Sequence, residues 1–118
     1  MLIATRSGKI NISKEKDTKL IAERLCKHIN LGDFILLTGN LGVGKTTFIK
    51  YIINSLQRIN RQKLSEVPSP TFNITNEYQI KKILIKHYDL YRIKNKSELI
   101  NLGFQENLNK QITLVEWP

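Results

Sequence analysis

Gly39-Asn40-Leu41-Gly42-Val43-Gly44-Lys45-Thr46 fits the pattern G-x-x-x-x-G-K-[ST] without a mismatch, and that pattern describes a loop that cradles phosphate. Glycines at 39, 42 and 44 open backbone conformations closed to other residues, so successive N–H groups can turn inward around phosphate oxygens. Lys45 brings a mobile point charge for the β- and γ-phosphates. The Thr46 hydroxyl is suited to ligate a Mg²⁺ ion bridging them, and Thr47 can offer its own hydroxyl to the α-phosphate. The bland alternative is a glycine-rich turn that happens to precede Lys-Thr. At ordinary residue frequencies a chance match in a chain this long is roughly one in a few hundred.

Two carboxylates could complete such a site. Asp89 and Glu116 each fall at the end of a predicted strand, where side chains of an open α/β sheet project into the ligand crevice. A carboxylate there can hold Mg²⁺, directly or through water, or orient an attacking water. Each could equally be a solvated strand-end charge, and spacing alone does not choose. His87 reads as a hydrogen-bonded sheet residue rather than a base. Arg92 is as well suited to pair with a carboxylate or a partner as with phosphate.

The elements that must position these groups alternate between helix and strand, as in a single α/β domain. Residues 9–12 form a short strand candidate. Ser13 stands where a helix N-cap would, and Leu20, Ile21, Leu25 and Ile29 recur with helical spacing until Asn30-Leu31-Gly32. Residues 34–38 are a short apolar run leading into Gly39, the mark of a strand buried on both faces. Phe48, Ile49, Ile52, Ile53 and Leu56 then make one stripe on the helix that follows the loop. Residues 58–66 are polar and read as a surface loop. Residues 71–80 and 83–88 read as an antiparallel hairpin joined through Lys81-Lys82. Residues 97–102 and 105–109 read as short helices, and residues 112–117 as a last buried strand, so the sheet is mixed.

Composition narrows the class. The chain has 118 residues, 41% hydrophobic and 25% charged, which suits one soluble globular domain. No apolar run approaches a membrane span and no apolar signal core precedes residue 30, so a cytoplasmic protein with no membrane association is expected. The single cysteine, Cys26, cannot form an internal disulfide and suits a reducing compartment; it reads as a small apolar residue on a helix face. A net charge of +9 could attract nucleic acid. The basic residues are scattered, however, and the richness in Ile, Lys and Asn fits a biased surface composition better.

Four blocks carry a more specific likeness: Gly39 through Phe48; Val67-Pro68-Ser69-Pro70-Thr71-Phe72 with Asn76-Glu77-Tyr78; His87-Tyr88-Asp89-Leu90-Tyr91-Arg92; and Val115-Glu116-Trp117-Pro118. In order and spacing they resemble the TsaE (YjeE) family. The resemblance implies a P-loop NTPase-like fold, with a mixed sheet flanked by helices. It further implies an ATPase, using ATP and Mg²⁺, that supports TsaD and TsaB in threonylcarbamoylation of adenosine 37 in tRNAs reading codons that start with A. The tRNA would be reached through those partners or touched directly. By family position, Asp89 and Glu116 join Thr46 as metal ligands and join Lys45 as catalytic groups. Thr71 resembles a switch threonine sensing the γ-phosphate, with a plain strand-opening residue as the alternative. Trp117 matches an aromatic residue near the nucleotide, with core burial as the alternative. Glu77 and Tyr78 suit partner contact or strand packing. The family commonly has an acidic residue at the position of Asn40 and Ala at that of Val43, and its members usually continue past the Trp-Pro block. A C-terminally shortened sheet is therefore expected. The rival readings are a non-catalytic nucleotide-dependent binding module of the same complex, and a GTPase switch suggested by Asn95-Lys96-Ser97-Glu98.

Overall fold

In the computed structural model, residues 14–39, 44–70 and 73–117 are described. The strand expected over residues 9–12, the Ser13 cap, the loop positions Asn40, Leu41, Gly42 and Val43, and Thr71 lie outside them.

Hydrophobic periodicity is realised as α1 (Glu15–Cys26), β1 (Phe34–Thr38), α2 (Lys45–Ile59), β2 (Thr75–Ile80), β3 (Ile83–Asp89), α3 (Lys96–Asn101), a 3-10 turn (Leu108–Lys110) and β4 (Gln111–Trp117). The strands lie in the order β1-β4-β3-β2. β4 runs parallel to both of its neighbours, while β2 and β3 form the expected antiparallel hairpin. Among the described residues the result is a four-stranded sheet, mixed as the strand pattern predicts.

The apolar stripe of α2 explains why the helix lies on the sheet. Ile49, Ile52, Ile53 and Leu56 are buried and Phe48 is partly so; they pack with Ala22 and Cys26 of α1 and with Ile80, Ile85, Ile112 and Leu114 of the sheet. Each such aliphatic side chain contributes about 1.5–3 kcal/mol by leaving water. On the opposite face a smaller cluster of Tyr88, Leu90 and Val115 is covered by Ile74, Ile93, Leu99 and Phe104. The Phe104 ring meets both Tyr88 and Phe34 edge-on, at 4.9 and 5.7 Å between centroids.

Five expectations need correction. β1, which among the described residues pairs with β4 alone, is not buried on both faces: Ile35 and Leu37 pack inward, but Phe34 and Leu36 are 45% and 51% exposed. An apolar run reports strand propensity, not position in the sheet. α1 stops at Cys26 and buries Thr18, Ala22 and Cys26 instead of Leu20, which is exposed. The chain beyond α1 turns to meet β4, where Gly32 N donates to Gln111 O and Thr113 N to Asp33 O. α2 continues to Ile59, so the polar loop begins at Asn60. β2 starts at Thr75, not 71, because Ile74 takes a positive φ of 68° and its N–H closes a turn onto Pro70 O at 2.6 Å. Finally, residues 105–107 form turns that lead, through Asn107 at φ 56°, into the 3-10 segment Leu108–Lys110 in place of a helix over 105–109.

Among the described residues no helix is long and apolar enough to cross a membrane.

Cys26 sits at the α1–α2 contact, its thiol donating to Ile52 O at 3.4 Å. Burial raises its pKa from 9.0 to about 11, partly offset by a hydrogen bond with Ser55 and reinforced by Glu23. A raised pKa means that the fold favours the neutral thiol, so this contribution to stability is complete below pH 9 and is lost as the pH rises toward 11. At pH 8 a maleimide should therefore label native Cys26 only through unfolding, with a rate that climbs with urea as global unfolding does. Labelling at the rate of a free thiol without denaturant would show that α1 is not held against α2 as described.

Candidate nucleotide site

The site grows from the junction of β1 and α2. Gly39 leaves β1 at φ 147° and Gly44 starts α2 at φ 95°, conformations that a side chain would strain. A Cβ added at Gly44 would meet open space, with nothing within 4 Å, so the backbone angle alone demands glycine. The first turn of α2 follows directly, and Phe48 N is the donor that reaches back to Gly44 O. The N–H groups of Lys45, Thr46 and Thr47 thus precede the first intrahelical bond, and the turn contains no acidic residue. Those donors and the positive end of the helix dipole face outward together, an arrangement that attracts anions.

The parallel register of β3 and β4 supplies the opposite charge. Asp89 stands beside Glu116 and His87 beside Leu114, so His87, Asp89 and Glu116 share the sheet face on which α2 lies. All three are buried. The Thr46 hydroxyl donates to Glu116 Oε1 at 2.6 Å, and His87 Nε2 lies 2.6 Å from Glu116 Oε2. Asp89 Oδ1 accepts from Tyr91 N at 3.0 Å and Oδ2 from the Ser69 hydroxyl at 3.2 Å. Its backbone is fixed as well, since Asp89 N donates to Ile74 O. Lys45 Nζ donates to Gly39 O and, at 3.0 Å, to Trp117 O. Gly44, Lys45, Thr46, Thr47, Ser69, Asp89 and Glu116 together line a cavity of about 220 Å³. That is below the roughly 300 Å³ at which whole small-molecule pockets begin, and it suits a phosphate group with its cation.

These donors fit Mg²⁺. They are hard oxygens, and a hydroxyl that gives its proton to a carboxylate keeps lone pairs for a metal. Among the described residues no group of three His, Cys, Asp or Glu could by itself hold a metal ion. A cation at Thr46, Asp89 and Glu116 would need phosphate oxygens to complete its shell, which is how Mg²⁺ is usually held beside phosphates.

The structure thus brings together Lys45, Thr46, Thr47, Asp89 and Glu116. Trp117 contributes through two different parts. Its carbonyl accepts from Lys45, while its side chain, in a residue 40% exposed overall, lines a separate apolar cavity with Phe34, Leu36, Leu90, Leu99, Phe104 and Val115. Arg92 lies away from the cradle, on an open depression with Tyr91, Lys94 and Glu98. Asn95 is spent on capping α3: its side-chain oxygen accepts from Glu98 N and from the Ser97 hydroxyl, and Glu98 reaches back to Lys94 N. Those bonds give Asn95-Lys96-Ser97-Glu98 a structural role at the start of α3. Sequence reasoning missed Ser69 as a partner of Asp89, although it stands in the Val67–Phe72 block. It also read His87 singly, although strand alternation puts residues 87 and 89 on one face.

The chain is similar to known proteins in sequence and in fold. The model of the family described as "Threonylcarbamoyl adenosine biosynthesis protein TsaE" matches residues 12–118. The tRNA threonylcarbamoyladenosine biosynthesis protein TsaE of Rickettsia felis is 40% identical over 106 residues, covering 90% of this chain and 60% of the relative. The protein of that name from Bacillus subtilis is 40% identical over 103 residues, covering 86% and 61%. That from Aquifex aeolicus is 36% identical over 106 residues, covering 90% and 73%. The chain thus spans about 60% of the length of the Rickettsia felis relative. The crystal structure of Bacillus subtilis YdiB is similar at a TM-score of 0.67 and 28% identity, covering 94% of this chain and 68% of that one. A match of this extent, taking in both the cradle and the two strand ends that face it, makes the chain a member of the TsaE family.

Proposed function

We propose that this chain binds ATP with Mg²⁺ at residues 39–47 and hydrolyses it to ADP and phosphate in support of TsaD and TsaB, which install threonylcarbamoyl on tRNA adenosine 37. The observation that carries the reading is the convergence of Lys45, Thr46, Asp89 and Glu116 on one cavity at the N-terminus of α2. A cation and a carboxylate pair across a phosphate-sized space can neutralise a triphosphate and hold its metal. The names of the relatives, biosynthesis proteins of tRNA threonylcarbamoyladenosine, support the pathway.

In this reading the α2 N-terminus and Lys45 bind the β- and γ-phosphates and stabilise negative charge as the bond from the γ-phosphorus to the β–γ bridging oxygen breaks. Mg²⁺, bound through Thr46 and the carboxylates, would supply further charge neutralisation across the two phosphates. Asp89, held by Ser69 and Tyr91, is poised to accept a hydrogen bond from the attacking water, whose oxygen forms the new bond to phosphorus. Thr71 is assigned the sensing of the γ-phosphate and the Trp117 segment a place beside the nucleotide. Hydrolysis would reset or release the synthase complex between turnovers.

Affinity for ATP should exceed that for GTP, and a clear preference for GTP would replace this reading with a switch GTPase. Lys45→Ala should weaken ATP binding by roughly ten- to a hundredfold, the worth of a charge-assisted phosphate contact, as measured by isothermal titration calorimetry.

Asp89→Asn and Glu116→Gln should keep ATP affinity within severalfold and lower kcat by roughly a hundredfold or more, the usual effect of removing a transition-state-stabilising group. Turnover is to be followed by phosphate release, alone and with TsaD and TsaB. Normal hydrolysis in both variants would overturn the carboxylate assignment. Bound ATP without turnover in either setting would identify a non-catalytic, nucleotide-dependent binding module.

A further inference from the structure

His87 is fully buried on β3, beside Leu114 and two residues from Asp89. Its Nε2 meets Glu116 Oε2 at 2.6 Å, and its Nδ1 has no partner among the described residues. Packing does not account for an imidazole here. Its sheet-face neighbours Ile85 and Leu114 are apolar and fully buried, and a buried polar atom without a partner carries a desolvation cost that a leucine would avoid. What a leucine could not do is donate to Glu116.

From this geometry, and resting on the ATP–Mg²⁺ reading above, we propose that His87 is a positioning residue that orients Glu116, and through it the Thr46 hydroxyl, for the cation. A bare Nδ1 is tolerated best as an acceptor, since a buried N–H without a partner is the rarer and costlier orphan. The ring proton therefore sits on Nε2 and donates to Oε2. That bond fixes the carboxylate plane and leaves Oε1 to accept the Thr46 proton, at 2.6 Å. With its proton so directed, the Thr46 oxygen turns its lone pairs into the cavity lined by Lys45 and Asp89. His87 touches neither nucleotide nor metal; it sets the direction in which Thr46 can give electrons. Without His87, Oε2 is left in the sheet interior without its donor, and the carboxylate must rotate to find another.

The test compares His87→Leu, similar in size but without a donor, with His87→Gln, whose amide can restore one. Binding of a fluorescent ATP analogue is titrated with Mg²⁺, repeated in EDTA, and set beside each variant's thermal melting. His87→Leu should raise the Mg²⁺ concentration at half-saturation about tenfold or more, the usual loss when a group orienting a metal ligand is removed. Affinity in EDTA should stay within about twofold. His87→Gln should recover most of the Mg²⁺ response. Nitrogen NMR of the wild-type ring should show a protonated Nε2 whose resonance moves in Glu116→Gln. A wild-type Mg²⁺ response in His87→Leu, or equal deficits in both variants that follow their melting temperatures, would overturn the proposal. A wild-type ring bonded as described, in a chain that binds no nucleotide, would overturn the ATP–Mg²⁺ reading and with it the metal-directed part of this role; a ring with its proton on Nδ1 would overturn the positioning role alone.

Discussion

A buried carboxylate costs several kcal/mol unless donors meet it, and the cradle of this chain is organised around one that is met from two directions. Glu116 is 4% exposed. It receives the Thr46 hydroxyl from the first turn of α2 and His87 from the neighbouring strand. Those bonds join the helix that presents N–H groups to the strand pair that presents negative charge. A slip of β4 by one residue against β3 would turn Glu116 to the other sheet face. It would part the carboxylate from Thr46 and from Asp89 together. The core contacts of Ile112 and Leu114 against α2, on the same face of the same strand, are what oppose that slip, so aliphatic packing in the middle of the sheet sets the geometry at its end.

The end of β4 also ties two sheet faces together. Glu116 points to the α2 side, whereas the Trp117 ring lies with Phe34, Leu36 and Val115 on the other. Between them the Trp117 carbonyl holds Lys45. The cation of the loop is therefore anchored to the backbone of the strand whose side chains contribute both the carboxylate and the outer apolar surface. Tight packing of Phe104 against Tyr88 and Phe34 fixes that outer surface relative to β3, the strand that carries Asp89.

Local features were legible in the sequence and relational ones were not. The phosphate loop, the α2 stripe and the β2–β3 hairpin follow from residue type and spacing within about fifteen residues, and the helix and hairpin stand where they were expected, β2 shortened at its start. Among the described residues β1 has β4 as its single strand neighbour. Its apolar run is the same whether one sheet face is covered or both, so exposure of Phe34 and Leu36 could not be read from it. Ile74 is another case. A β-branched residue at positive φ is costly, and only its bonds to the Pro70 carbonyl and to the Asp89 amide on the next strand explain why the turn forms there. At the site itself, Asp89 and Glu116 were readable as strand ends. Their pairing with Ser69 and His87 was not, because it needs the register of β3 and the fold-back of the Ser69 segment.

Cation and nucleotide would depend on each other through the donor set. With a hydroxyl and two carboxylates, and no group of three His, Cys, Asp or Glu able to hold a metal among the described residues, the protein offers too few ligands to hold Mg²⁺ well unaided. Phosphate oxygens would have to complete the shell. Conversely, a triphosphate placed beside Asp89 and Glu116 meets like charge unless a cation intervenes. Each ligand would therefore improve the site for the other, and the coupling would be equal in both directions by linkage. Lys45, bonded to the Trp117 carbonyl beside Glu116, and the α2 N-terminus would offset part of the phosphate charge. A divalent cation between phosphates and carboxylates would answer both charges at once, and its placement would then depend on the orientation of Thr46 by Glu116.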